Sequence, residues 1–456
     1  MNPRVISATA VVASGLLLAA CGTVPVQQQR REAQALLAPA AGVLSHEPAD
    51  SAGAAGELRA LLAAPLEVAG AVRIAWLRNP DVQVAYARLG VAGADVFNAS
   101  RPANPQLGLG LLWPANAADG RKLEGSLGFS LQDLLWLHSR RQAGAAELRS
   151  AEQQLAASLY ALALDTTDAW FDAVAAQQHL ALRQRIADSA TVAAELAEQY
   201  RLAGNINALS ASLQSAAGAE ARISQDTAIR NASRSRARLR QLLGLTAADP
   251  AITLPASLPA PEAPIAEAAT LHAQARSQRL DLAAARSDAE AATLRLAATR
   301  RYRLVNGAEL AAVTEHEGET HRTGARAGIA LPLFSQGQGA VARATAELQG
   351  AQARVRSIEV SIDAEIDALL EQLAAGREQY ARYREQLIPQ REAVVARLTE
   401  QANFMLIGPF DLLLARQQSY SAYDGAVDSL QSWWQERIAL TRSLGAPLLL
   451  PASAKE

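Results

Sequence analysis

Little in this sequence is aromatic, and almost nothing in it can cross-link. Aromatic residues make up 4 % of 456, although 50 % are hydrophobic. Alanine supplies much of the difference, in runs such as "RQAGAAEL" and "YALALD". Alanine has the best helix propensity and lets backbones approach closely. Long, tightly packed helices are therefore expected, in place of a thick globular core. The single cysteine, Cys21, excludes an intramolecular disulfide framework. A formal charge of -2 leaves no basic stripe for phosphates, so no nucleic acid partner is expected. After the first residues no segment approaches roughly 18 uncharged apolar residues, which excludes a spanning helix. If the chain crosses a membrane, it must do so as a β-barrel, since only helices and closed barrels satisfy the backbone in lipid.

Catalytic signatures are missing as well. His46, His138, His179, His272, His316 and His321 form no His-Glu-x-x-His pattern, and no Gly-x-Gly-x-x-Gly or phosphate loop occurs. No enzymatic activity, cofactor or dedicated metal is expected. "EHEGETH" holds His316, Glu317, Glu319 and His321, which could bind a divalent cation weakly, but its spacing fits no structural zinc signature and it reads as a wet loop. Trp433 and Trp434 read as packing or subunit-interface residues.

What is present begins at the N-terminus. "MNPRVISATAVVASGLLLAAC" carries Arg4 ahead of a short apolar run, which suits a secretory signal better than a spanning helix. Its end, Leu18-Ala19-Ala20-Cys21, resembles the bacterial lipobox, which implies cleavage before Cys21 and acylation of it. Gly22, not aspartate, follows, as in outer-membrane sorting. Residues 1–20 are thus assigned to a signal peptide and 21–65 to a lipidated, extended segment.

The rest of the chain is written twice, at a spacing of about 200 residues. "AWLRNPDVQVA" around Asp81 aligns with "ARSQRLDLAAA" around Asp281. "LGFSL" (Leu127 to Leu131) aligns with "AGIAL" (Ala327 to Leu331), and "AAEL" with "TAEL". "LAGN" at Gly204 is set against "LIGP" at Gly408, and "LLG" at Gly244 against "SLG" at Gly445. Between the halves, Pro250, Pro255, Pro259, Pro261 and Pro264 mark an extended linker, because proline fixes φ and removes a donor. The boundaries are a first repeat over 66–250, a linker over 251–264, a second repeat over 265–446 and a tail over 447–456.

Each half reads as helix, strand, strand, long helix, helix. First helices are expected near 66–100 and 265–300. "NPQLGLGLLWP" places Leu107, Leu109, Leu111 and Trp113 on one face. "LEGSLGFSLQ" places Leu123, Leu127, Phe129 and Leu131 opposite Glu124, Ser126, Gly128 and Ser130. "RLVNGAELAAVT" is less regular, and "RTGARAGIALPLF" sets Ala325, Ala327, Ile329 and Leu331 against Arg322, Gly324, Arg326 and Gly328. Segments of about ten residues suit tilted bilayer strands. Four strands cannot close a barrel, since the smallest have about eight, so several chains must contribute.

Long helical runs follow at about 139–202 and 337–406, with return helices at about 207–243 and 410–444. Leu148, Leu155, Leu159 and Leu162, and then Leu348, Val355, Ile358, Ile362, Ile366, Leu369 and Leu373, keep coiled-coil spacing. Pro389 interrupts the second run and predicts a kink. At about 1.5 Å per residue, roughly 65 residues reach about 100 Å, and such helices need partners along their whole length.

Taken with "PLEVAGAVRIAWLRNPDVQVAYARL", "GIALPLFSQGQ", "ANFMLIGPFDLLLARQQSY", "LRQLLGL" and "LTRSLGA", this order of elements resembles the TolC family of outer-membrane factors over nearly the whole mature chain. The resemblance implies a mainly α fold with transmembrane β: duplicated long-helix hairpins form a periplasmic α-barrel, and four strands per protomer form a 12-stranded barrel in a homotrimer. It implies a Gram-negative outer-membrane channel, lipid-anchored at Cys21, serving a periplasmic adaptor protein and an inner-membrane pump. On this resemblance the hairpin tips Leu202, Ala203, Gly204, Asn205, Ile407, Gly408 and Pro409 contact the adaptor, and Asp411 lines the closed aperture. The bland readings remain open: the glycines also end helices, and Asp411 suits a helix N-terminus. A periplasmic adaptor lipoprotein and a structural coiled-coil envelope lipoprotein are the alternatives, but neither needs two strand pairs.

Overall fold

The computed structural model describes residues 24–41, 52–113, 121–261, 267–305, 307–317 and 319–445. The expected signal peptide over 1–20, Cys21 and the expected tail over 447–456 lie outside these residues. The elements in order are helices α1 (Val26–Ala41), α2 (Ala52–Leu62), α3 (Val68–Arg78) and α4 (Pro80–Ala99), then strands β1 (Gln106–Leu112) and β2 (Lys122–Ser130). Helices α5 (Leu131–Leu202), α6 (Ala208–Leu242), α7 (Ala268–Gln278) and α8 (Leu280–Tyr302) follow. Strands β3 (Glu309–Glu317) and β4 (Thr320–Gly328) precede α9 (Gln338–Arg382), a π-helical turn (Tyr383–Leu387), α10 (Ile388–Asn403) and α11 (Pro409–Leu444).

The order of elements is that of a duplicated chain, and the boundaries differ in ways that have physical causes. Residues 21–65, expected to be extended, are helical over α1 and α2. Each half's first helix is two helices. Asn79 and Arg279, 200 residues apart in sequence, both leave helical geometry, at φ -67, ψ 124 and φ -64, ψ 115. Pro80 forces the first break, because the residue before proline is pushed to extended backbone. Asn79 then donates from Nδ2 to the Leu242 carbonyl at 2.8 Å and accepts from the Asp81 amide. The second break has no proline, and tertiary contact explains it. Gly244 and Gly445, which end the two halves, have φ +64 and +61. A Cβ on Gly244 would fall on the Arg78 carbonyl, and one on Gly445 would lie 2.9 Å from that of Gln278. Each half closes by seating a left-handed glycine against the break in its own first helix pair. Only glycine meets both demands there.

Helix α5 begins at Leu131, directly after β2, earlier than the expected 139. Gly307 donates its amide to Gln132 Oε1 and Leu131 donates to the Ala308 carbonyl, fixing this junction. In the second half Pro332 interrupts the corresponding stretch, so Ile329 and Leu331 lie past the end of β4 and not on its face. The kink expected at Pro389 is taken up one turn earlier, as the π turn before α10. Proline's missing N–H and ring are accommodated by that local widening. Tyr383 and Leu387 of the π turn pack on Ala422 and Ala426 of α11, with Ile388.

Contacts divide the chain into two compact units, each drawing on both halves. One takes the segment up to Ala35 with Ala85–Leu155 and Asp281–Ser357; the other takes Leu36–Val84, Ala156–Leu280 and Ile358 onward. The first contains one antiparallel sheet in the order β1-β2-β3-β4. The second is helical and has an indole-centred core. Trp434 stacks on Phe171 at 4.5 Å and donates Nε1 to the Pro259 carbonyl at 2.9 Å. Trp170 donates to the Leu66 carbonyl, and Trp76 to that of Leu159. Buried indole N–H groups need such partners. The linker is therefore part of the core, through Ile252, Leu254 and Leu258. Trp433 and Trp434, both buried, are packing residues.

Candidate functional site

The strand register sorts side chains onto two faces of unlike chemistry. Leu107 pairs with Leu127 and Leu111 with Leu123, while Leu127 pairs with Ala312 and Phe129 with Leu310. Leu109 shares this face and is 77 % exposed. On the other face Gly110, Glu124, Glu315 and Arg322 form one cross-strand row. Lys122 adds ion pairs to Glu124 at 2.8 Å and Glu315 at 3.5 Å. An apolar row exposed on one side and a charged row on the other is the pattern of a strand between lipid and a wet lumen. Among the described residues, strands β1 and β4 each have one neighbour, so both outer edges present backbone groups unpaired there. Among the described residues, no helix is long and apolar enough to cross a membrane.

Most of "EHEGETH", expected to be a wet loop, is strand. Glu315, His316 and Glu317 belong to β3, and Thr320 and His321 to β4. His316 pairs with His321, with ring centroids 6.0 Å apart.

The two hairpin tips lie in the helical unit and are built on one hydrogen-bonding plan. Gly204 donates to the Arg201 carbonyl and Asn205 to that of Tyr200. In the second tip Met405 donates to Ala402 and Leu406 to Gln401. Both closures are Schellman motifs. Gly204, at φ +79, therefore corresponds to Met405, at φ +55, and not to Gly408. Gly408 has φ -75 and is the N-cap of α11, corresponding to Asn207, whose side chain accepts from the Ser210 amide. Pro409 occupies the first helical position, where its missing N–H costs nothing. Leu202, Ala203, Gly204 and Asn205 form the first turn. Ile407, Gly408 and Pro409 form only the later side of the second.

Phe404, Met405 and Leu406 are its apex, and the residue pattern did not single them out. Met405 is 93 % exposed and Phe404 76 %. Their signal was present as four bulky apolar residues in "FMLI" without a polar partner, but the glycine drew the alignment toward Gly408. The tips are held together by Tyr200 and Phe410, whose rings meet nearly edge to face at 6.0 Å. Asp411 is exposed in the first turn of α11, its amide bonded to the Gly408 carbonyl.

Ionisable groups are also set into the helices. Burial, reinforced by Asp172, pushes the Asp168 carboxyl on α5 up to about 6. Burial and the neighbouring Glu32 of α1 push Glu152 up to about 7.

No protein-family model matches the chain, and no curated protein matches it by sequence. Solved structures do match. The Campylobacter jejuni CmeC outer membrane channel superposes with a TM-score of 0.68 at 14 % identity, over 83 % of this chain and 85 % of that one. The Vibrio cholerae outer membrane protein VceC gives 0.66 at 18 % identity, over 83 % and 96 %. The open-state Neisseria gonorrhoeae MtrE outer membrane channel gives 0.64 at 17 %, over 84 % and 89 %. With its four-stranded sheet, paired helical hairpins and duplicated order, this chain has the fold of the TolC-type outer-membrane channels.

Proposed function

We propose that three copies of this chain form a passive outer-membrane conduit of a tripartite efflux system, exporting small molecules or ions from periplasm to exterior. The observation that carries this reading is the sheet. It has a lipid-compatible face, a charged face, two unpaired edges, and too few strands to close alone. Twelve strands from three chains would close it. CmeC and MtrE, which share this fold, are outer membrane channels, and that supports the same reading.

Acylation at Cys21, after removal of residues 1–20, would anchor each protomer, since one cysteine bearing several acyl chains adds roughly 0.8 kcal/mol per buried methylene. The repeats over 66–250 and 265–446 would each supply one strand pair and one helical hairpin, joined by 251–264. The tips at Leu202–Asn205 and at Ile407, Gly408 and Pro409 would meet a periplasmic adaptor, which joins the conduit to an inner-membrane pump. The exposed Phe404, Met405 and Leu406 add the apolar area such a contact needs.

Asp411 would face the aperture at the start of α11. Detergent-extracted protein is expected to run as a trimer and conduct in planar bilayers, and Asp411→Ala to alter conductance or cation selectivity. Unchanged single-channel behaviour would remove Asp411 from the aperture; monomeric, non-conducting protein would remove the channel itself.

A further inference from the structure

One cluster of ionisable groups has no part in conduction as described. His179 on α5 places Nδ1 2.7 Å from Oδ1 of Asp424 on α11. Asp424 is 4 % exposed, and Arg183, one turn beyond His179, bonds its other oxygen. In the neutral ring, a buried carboxylate against Nδ1 makes that nitrogen the N–H donor and leaves Nε2 as the lone-pair face. Nε2 is itself buried and makes no hydrogen bond. It stands 3.1 Å from Oδ1 of Asp428, one turn further along α11, whose side chain is 67 % exposed. Two acceptors so close repel each other unless a cation stands between them.

The separation suits a shared metal ion. Ligand bonds of about 2.0–2.2 Å at a tetrahedral angle put two ligand atoms roughly 3.3–3.6 Å apart, so a small rotation of the exposed Asp428 side chain from its 3.1 Å approach would admit the ion. One nitrogen or carboxylate oxygen from each of His179, Asp424 and Asp428 lies within 4.8 Å of the others, but Arg183 already holds Asp424, which leaves His179 and Asp428 as the ligands. We propose that His179 Nε2 and Asp428 bind a divalent transition-metal ion of the zinc class, with Asp424 and Arg183 orienting the imidazole from behind. The carboxylate–imidazole–metal order is the usual way a ligating ring is held. An imidazole in the set favours zinc-like ions over magnesium or calcium, which take oxygen. Water completes the shell on the exposed side of Asp428, and the ion ties α5 to α11.

A second cluster of the same composition shows what separates a site from an ion pair. His272 on α7 bonds Asp367 through Nε2 at 2.9 Å and faces Asp363 through Nδ1 at 3.2 Å. There the carboxylate facing the unbonded ring nitrogen is already held by Arg276, through contacts of 2.8 and 2.9 Å. A guanidinium at that carboxylate excludes a second cation. At His179 the arginine sits on the rear carboxylate instead, and Asp428 is left to the ligand.

The test uses the full chain in detergent, stripped with a chelator and titrated with Co²⁺ by visible absorption and with Zn²⁺ by calorimetry. The expected result is a Co²⁺ spectrum with nitrogen and oxygen ligation that Zn²⁺ abolishes. Asp428→Asn, on an exposed position that does not endanger folding, should remove it, as should His179→Gln. Asp424→Asn should weaken binding by about 10–100-fold, and His272→Gln should leave it unchanged. Equal uptake by wild type and Asp428→Asn would overturn the proposal. So would a His179 ring that stays doubly protonated above pH 7 and does not respond to Zn²⁺, since a proton would then occupy the gap.

Discussion

Met405 holds a conformation its side chain does not favour. It is the one described non-glycine residue with positive φ, and it lies at the apex of the second tip. An L-residue in the left-handed region costs about 1–2 kcal/mol, which glycine avoids, as Gly204 does in the first tip. The turn's backbone hydrogen bonds would form equally with glycine, and the methionine side chain, almost fully exposed, offsets none of this cost. The strain is consistent with a side chain kept for a partner and not for the fold. Met405→Gly should therefore raise the thermal midpoint, by the equivalent of up to about 1 kcal/mol once glycine's greater freedom in the unfolded chain is counted. A lower midpoint would mean that Met405 stabilises the turn itself.

Elements were legible where one physical rule decided them. Alternation through Leu123, Leu127 and Phe129 marked β2, and Pro80 could have marked the α3–α4 break. The matching break at Arg279–Leu280 has no local signal, because the closing turn at Gly445 imposes it from a distance. The two tips do not correspond glycine to glycine for a related reason: glycine marks a left-handed turn only when the chain uses it, and here Met405 takes that place. Helix α1 was illegible in kind, since its docking is polar. Arg30 lies over the Tyr86 ring, Gln34 donates to the Tyr86 hydroxyl at 3.0 Å, and Glu32 sits beside Glu152 of α5.

That last contact makes α1 sensitive to pH. Glu152 is raised from 4.5 to about 7 in the folded protein, by burial first and by Glu32 second. The folded state thus binds the proton more tightly than the unfolded chain. The associated stability is full below about pH 4.5 and is lost as pH rises through 7. Amide exchange in α1 should accelerate between pH 6 and 8 beyond the intrinsic rate. Glu152→Gln, which cannot ionise, should flatten that rise, and an unchanged profile would place the pH response elsewhere.

At the scale of the molecule, everything turns on whether the outer edges of β1 and β4 are partnered. In an isolated sheet, alternate residues of β4 point their N–H groups toward β3 and away from it. Proline is tolerated only where the N–H faces outward. Of the neighbouring changes Gly324→Pro and Ala325→Pro, an unpartnered sheet would accept one and reject the other. In a barrel closed by three chains there is no outward N–H, so both should abolish the trimer and its conductance. The costs should be similar, a lost ladder bond and a local distortion of about 3 kcal/mol each by analogy with proline in a helix. Trimers that survive one of the two substitutions and fail with the other would mean that β4 is a true edge. The apolar rows of Leu107, Leu109 and Phe129 would then have to be covered by something other than lipid around a closed barrel.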